Sequence, residues 1–316
     1  MSEKIIFLNN WNLKYLGKKL QNTIVKDQSF FIYLNSLFQL MKPRVMSLVI
    51  FTCVVGLLIA PIQVSLINAL VSLIAVALGA GAAGTLNMWY EADLDAVMKR
   101  TCLRPIPTGK VAKNQALIFG ISTSCISVVT LYFFSNLLSA AMLAVTILFY
   151  VVVYTIWLKR KTPQNIVIGG AAGAFPPIIG WTIATGNITF EPILLFLIIF
   201  FWTPSHFWAL SLYKKEDYQN AKIPMLPVVA GIKTTKINIF VYAVILFVIS
   251  LCPFFFNYFG LTYFLFSFFL GSYYVYLCYK LLTSTHNENK FAKKIFVYSI
   301  LYLFLLFSII LIDKII

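Results

Sequence analysis

Residues 66–95 read LINALVSLIAVALGAGAAGTLNMWYEADLD. The first 25 carry no charge, and then three acids arrive within five residues. A bilayer core needs about 20 consecutive apolar residues per helix, so this stretch is a membrane span ending in an acidic motif at the water boundary. Eight further stretches of the same kind lie at approximately 45–64, 115–135, 137–158, 166–185, 192–212, 237–256, 261–280 and 295–312. Composition agrees: of 316 residues, 60% are hydrophobic and 11% charged, whereas a soluble domain carries about 25% charged residues. Disorder is excluded, since it requires low hydrophobicity. The expected fold is an all-α polytopic membrane bundle of nine transmembrane helices. Residues 1–40 are expected to form a cytoplasmic, amphipathic N-terminal tail, and residues 41–316 the transmembrane domain.

The connections alternate between two kinds. Those at 61–65, 135–138, 184–191 and 254–261 are short and nearly uncharged, while those at 91–114, 159–165, 213–236 and 281–294 are longer and basic. With nine spans, 24 of the 25 Lys and Arg fall on one side and only Lys314 on the other. A wrong number of spans would divide them. Basic residues collect in cytoplasmic loops, so the N-terminus and the long loops are expected in the cytoplasm. The net charge of +15 then reflects orientation, and no nucleic-acid partner is implied. The first 40 residues lack the apolar core and cleavage site of a secretory signal. Five scattered cysteines, with no C-x-x-C pair, give neither a disulfide framework nor a zinc site.

Acids are scarce in this chain and costly near a membrane, which makes them functional candidates. Asn87, Glu91 and Asp95 are spaced four apart, so a helix lines them up as one stripe; Asp93 points off it. Stacked oxygen ligands repel one another, and Mg²⁺ would relieve that while also binding phosphate. Lys99, Arg100, Arg104 and Lys110 follow directly. Acids that hold a cation and bases in the same loop are the parts needed to grip a diphosphate. The end of the sixth span brings a second group to the same side: His206, then Lys214, Lys215, Glu216 and Asp217. Lys159, Arg160 and Lys161 form a third basic site after the fourth span. The fifth opens with the small residues Gly169, Gly170 and Gly173, and Pro176–Pro177 should kink it. Gly79, Gly81 and Gly84 precede Asn87, and small residues let backbones approach. These two glycine runs are expected to bring the second and fifth spans into close contact.

These motifs resemble the UbiA superfamily of intramembrane prenyltransferases. The likeness covers nearly all of residues 41–313. It is carried by Lys42-Pro43-Arg44-Val45, by Asn87 to Thr101 with Arg104-Pro105, by Tyr154 to Asn165 with the glycines after it, and by HFWALSLYKKEDYQNAKIPMLPVV at 206–229. The last stretch is close to the superfamily's haem-farnesylating branch. The superfamily's first motif, N-D-x-x-D-x-x-x-D, here has Met88 and Glu91 in place of the first two Asp. Of the second motif's two acids only Asp217, beside Glu216, is left.

The resemblance implies transfer of a farnesyl group from farnesyl diphosphate to a vinyl group of haem b, giving haem O, in a bacterial inner (plasma) membrane. Haem b is then a substrate, Mg²⁺ the cofactor, and haem A synthase or the terminal-oxidase assembly the downstream partners. It implies metal ligation by Asn87, Glu91, Asp95 and Asp217, and charge stabilisation by Arg100, Arg104 and Lys159. Substrate contacts are expected from Lys99, Tyr154, Asn165, His206 and Lys214. Trp89, Tyr90, Trp202 and Trp208 are the aromatics expected nearest an allylic cation. Two alternatives stay open, prenylation of a quinone-precursor ring and a membrane transporter. Against the transporter, no ionisable residue lies at the centre of a span.

Overall fold

The computed structural model describes residues 30–315. The segment 1–29, and with it most of the expected tail, lies outside the described residues. Among the described residues the chain is helical throughout, with no strand. Helix α1 (Phe30–Leu40) meets α2 (Pro43–Leu58) at a bend of 51°. Then follow α3 (Leu66–Tyr90), α4 (Ala92–Val97), α5 (Lys113–Phe134), α6 (Leu137–Leu148), a π-helical continuation (Phe149–Leu158), α7 (Asn165–Ala174), α8 (Pro176–Thr185), α9 (Phe190–Tyr213), α10 (Lys215–Asn220), α11 (Leu226–Val229), α12 (Gly231–Phe255), α13 (Leu261–Thr283) and α14 (Glu288–Ile315).

Eight helices or helix pairs are individually long and apolar enough to cross a membrane, and a ninth arises if α1 and α2 count together. The first span differs from the 45–64 expected. Helix α2 has only 16 residues, ending before Pro61 and the polar Gln63. Residues 30–40 are helical and pack through Tyr33, Leu37 and Leu40 against Met88, Trp89, Ile106, Val111 and Ala116. Helices α12 and α14 begin six or seven residues before their apolar windows, because backbone hydrogen bonding continues into the Lys-bearing water boundary.

Local chemistry explains most helix ends. The Ser65 and Asn136 side chains accept from the backbone N–H of Asn68 and Ser139, the usual use of such residues at an N-cap. The fifth span breaks cleanly at Phe175, between α7 and α8, because Pro176 and Pro177 cannot continue the ladder but suit a first turn. Helix α8 stops at Gly186, φ 66°, a left-handed cap that glycine adopts without strain. At the far end of the bundle Asp313 of α14 accepts from the N–H groups of Gly260 and Tyr263, at 2.6 and 3.1 Å, capping α13 from a neighbouring helix.

Lipid removes the hydrophobic drive between spans, so close backbone approach holds them together. A Cβ on Gly180 would lie 1.9 Å from the Cys53 carbonyl oxygen, and one on Gly56 2.1 Å from that of Pro177; α2 and α8 therefore pack backbone to backbone. The other glycine runs do not join the second and fifth spans as expected. Gly79 and Gly81 of α3 receive Leu143 and Met41, while Gly169 and Gly170 of α7 receive Tyr154 and Thr203. One apolar cluster joins α9, α12, α13 and α14, with Val55 of α2 and Ile59 just beyond its end. A second is built on α2, α3, α5, α6 and α8.

Candidate functional site

The helix geometry of α3 persists across its joint with α4. The Glu91 N–H donates to the Asn87 carbonyl (2.9 Å) and the Asp95 N–H to that of Glu91 (2.8 Å). Asn87, Glu91 and Asp95 therefore stay on one face, and all three are buried, with relative exposures of 2, 2 and 3%. Asp93, off the stripe, is exposed.

A buried carboxylate is costly unless paired, and each member of the stripe has a basic partner from elsewhere in the chain. Lys159 reaches Glu91 Oε2 at 2.5 Å. Arg104 Nη1 donates to Asp95 Oδ1 and Oδ2 at 2.8 and 2.7 Å. Lys42, at the α1–α2 bend, donates to Asn87 Oδ1 at 2.6 Å. The repulsion for which a cation was expected is relieved by these bases, and among the described residues no group of three or more His, Cys, Asp or Glu gathers as a metal site. One acceptor is left over: Glu91 Oε1 is buried with no partner. Mg²⁺ typically takes one or two carboxylates and completes its shell with water and phosphate. An orphaned carboxylate oxygen beside a second acid and an amide fits that donor set. On the exposed rim Arg160 grips Asp93 with both Nη atoms, at 2.9 and 2.8 Å. That hydrogen-bonded fork holds the Asp93 carboxyl below its ordinary range and raises the Arg160 guanidinium.

The π-helical segment sets the opposite wall. Its last turn is closed by Lys159 N–H on the Tyr154 carbonyl, five residues back. Thr155 Oγ1 donates to the Tyr150 carbonyl (2.8 Å) and accepts from Asn87 Nδ2 (3.0 Å), so the acidic stripe is tied to this register. Tyr154 lies against Gly169, where a Cβ would come 2.1 Å from the ring, and Lys159 Nζ is 5.7 Å from the ring centroid. Asn165 is buried; it donates to the Thr162 carbonyl (2.6 Å) and leaves its Oδ1 unpartnered. Lys99 and Arg100 are exposed.

The second loop meets the first through an apolar cluster in which Leu94 and Met98 pack with Tyr218, Ile166, Tyr154 and Phe207. Lys99, Lys214 and Asp217 line a neighbouring cleft of about 680 Å³, with Asp217 itself buried. His206 lies deeper, its ring sandwiched between Trp202 (4.2 Å) and Phe296 (4.6 Å). Ser299 donates to the Phe296 carbonyl at 2.7 Å, so its oxygen accepts from His206 Nδ1 at 2.6 Å. That assignment places the proton on Nδ1 and leaves Nε2 with a free lone pair.

The four expected aromatics divide between the core and the rim. Trp202 donates to the Ser299 carbonyl (2.8 Å) and Trp208 packs against Tyr242, both as core members. Trp89 lies near Lys113 and Tyr90 near Arg160. The ring beside the buried Lys159–Glu91 pair is Tyr154. Lys42 and Thr155 carry geometry to which sequence reading gave no role. Lys42 stood in a noted Lys-Pro-Arg stretch, but 45 residues separate it from Asn87 and no local spacing joins them.

Known proteins resemble this chain along most of its length. A family model described as the UbiA prenyltransferase family matches residues 49–300. A Protoheme IX farnesyltransferase of Pelagibacter ubique (strain HTCC1062) is 60% identical over 302 residues, 95% of this chain and 99% of the relative. One of Rhizobium rhizogenes (strain K84) is 53% identical over 88% of both chains. Among solved structures, a digeranylgeranylglyceryl phosphate synthase study gives a TM-score of 0.75 at 17% identity, covering 90% of this chain and 99% of that one. A UbiA homolog from Archaeoglobus fulgidus bound to DMAPP and Mg²⁺ gives 0.63 at 16% identity, covering 87% and 99%. At such identities the likeness is one of fold.

Proposed function

The chain belongs to the UbiA prenyltransferase family, and from that premise we propose that it passes a farnesyl group from farnesyl diphosphate to a vinyl group of haem b, giving haem O. The acceptor follows from the names of relatives 50–60% identical to it. The donor chemistry follows from one observation: a buried acid–amide stripe whose three members each hold a base from a different segment.

In the proposed reaction the C–O bond to the diphosphate breaks heterolytically and the pair of electrons leaves with the diphosphate. The haem vinyl group attacks the allylic cation, and water adds to the carbocation left on the vinyl carbon, losing a proton. Lys42, Lys159 and Arg104 supply positive charge where the leaving group develops negative charge. Arg100 extends that basic face at the rim. Tyr154, clamped on Gly169 and close to Lys159, offers a ring to the cation. Asn165 holds the 159–165 turn from which Lys159 projects.

Glu91, through its free oxygen, with Asp95 and Asn87, would hold Mg²⁺, and Asp217 is the acid contributed by the second loop. The metal, when bound, neutralises the diphosphate and improves it as a leaving group. His206 is proposed to meet haem through Nε2. The basic loops support a setting in the bacterial plasma membrane with the N-terminus and site in the cytoplasm.

The test supplies purified enzyme with farnesyl diphosphate and either haem b or 4-hydroxybenzoate, with and without Mg²⁺, and weighs the products. A haem product heavier by one farnesyl and one hydroxyl group, lost when the metal is chelated, is expected. A prenylated benzoate with haem untouched would replace the acceptor, and metal-independent turnover would remove the proposed ligand set.

A further inference from the structure

The cleft beside the acidic stripe holds lysines that the donor chemistry does not use. Lys99, Lys214, Lys215 and Lys290 line it, and none of the four forms an ion pair among the described residues. Of its three acids, Glu288 is already committed to Lys236 at 2.7 Å. That leaves four lysines against Glu216 and Asp217. Paired lysines would suit a structural role; unpaired ones gathered round a cleft of about 680 Å³ suit an anionic ligand.

Its position narrows the choice. Met98 and Tyr218 pack in one buried cluster, and they adjoin Lys99 and Asp217 in the chain, so the cleft opens next to the site of prenyl transfer. Beside the lysines the lining is apolar at Leu212, Tyr213 and Ile232. Tyr213 lines the cleft and starts a row of rings, with Phe296 at 5.9 Å, then His206 at 4.6 Å and Trp202 at 4.2 Å. A ligand suited to both features carries negative charge on one edge and a flat apolar body behind it.

The geometry points to this cleft as the dock for the two propionates of the acceptor haem. Lys214 and Lys290, with Lys99 and Lys215 beside them, hold the carboxylate edge at the aqueous rim, and the macrocycle lies toward Tyr213. This rests on the acceptor proposed above. It adds a prediction of its own: the enzyme recognises the acceptor's carboxylates, which are remote from the reacting vinyl group.

Equilibrium titration of the purified full-length enzyme with ferric protohaem and with its dimethyl ester, read by the Soret band, tests this directly. The ester is uncharged at the propionates and otherwise the same. The wild type is expected to bind protohaem at least about tenfold more tightly, the scale of one charge-assisted hydrogen bond. A Lys214→Gln/Lys290→Gln double variant should lose that preference, and Lys214→Arg/Lys290→Arg should keep it. Both positions are outside the core, where substitutions seldom disturb folding. Equal binding of acid and ester by the wild type overturns the proposal, as does an undiminished preference in the Gln variant. Farnesyl transfer assayed on the same samples separates the two readings. Carboxylate-dependent binding without transfer refutes the acceptor reaction and leaves the dock standing; transfer without the preference does the reverse.

Discussion

Replacing Lys159 by Met isolates the energetics of the stripe. The pair it breaks has its charges 2.5 Å apart, with side chains 17% and 3% exposed. At an effective dielectric near 20, the Coulomb attraction at this separation is about 6–7 kcal/mol before desolvation is subtracted. Removing one partner of a buried pair costs about 3–5 kcal/mol, because the other charge stays buried and alone. Here the penalty falls at the upper end of that range, since Glu91 Oε1 already lacks a partner and the substitution strands Oε2 as well. Glu91→Gln in the Lys159→Met background removes the stranded charge, and replacing both members of a buried pair is often close to neutral. The double variant should therefore recover at least about 2 kcal/mol relative to Lys159→Met. Reversible unfolding in a fixed detergent, run on the four members of the cycle, measures this coupling. Two results would refute the reasoning: a Lys159→Met protein as stable as wild type, or a double variant less stable than both singles.

Gly169→Ala should cut turnover by tenfold or more while the protein still inserts and folds, because its Cβ would meet the Tyr154 ring at 2.1 Å; steady-state assays on a monodisperse sample check it. Thr155→Val strands the Asn87 amide and should cost about 1–3 kcal/mol, read as a fall in kcat or in unfolding stability. Asp93→Asn should change stability by less than about 1 kcal/mol, since this rim ion pair is exposed. Because Arg160 lowers the Asp93 carboxyl, the pair's small contribution is present above the unfolded value of about 3.9. It fades as pH falls through the lower folded value, so the stability profiles of wild type and Asp93→Asn should run parallel between pH 6 and 8, separated only by that small contribution. His206→Ala should weaken haem binding and shift its optical spectrum, and Ser299→Ala, by freeing Nδ1, should shift the spectrum with a smaller loss of affinity. An unaltered spectrum in His206→Ala would remove that residue from the haem site.

The bilayer made most of the architecture legible, because its thickness imposes a length that apolar windows such as 66–90 and 261–280 display. What it does not constrain stayed hidden. Nothing apolar marks where α12 or α14 begins in the aqueous boundary. The end of the first span is not legible because apolar residues continue past Leu58 while the helix stops. In the site, the stripe of Asn87, Glu91 and Asp95 was readable because a spacing of four is local. Lys42 on Asn87 and Lys159 on Glu91 span 45 and 68 residues and have no local signal. The partners of the glycines were equally hidden, since a small residue advertises close approach without naming what approaches. Residue type alone does not say whether Trp202 or Trp208 lines a cavity, because packing decides that, and both lie in the core cluster.

The π-helical turn has a consequence for how this segment can change. Each turn between Phe149 and Leu158 holds about one residue more than an α-turn would, and Thr155 and Lys159 keep their partners only at that count. Loops absorb insertions and deletions readily; this wall has no such slack. Deleting a single residue such as Val152 would let the segment relax to an α-helix with its apolar character untouched. Thr155 and Tyr154 would then be carried round the helix, away from Asn87 and Gly169. Counted in residues, the segment is a fixed-length spacer, and its tolerance to length change should be far below that of the longer connections at 98–112 and 221–225.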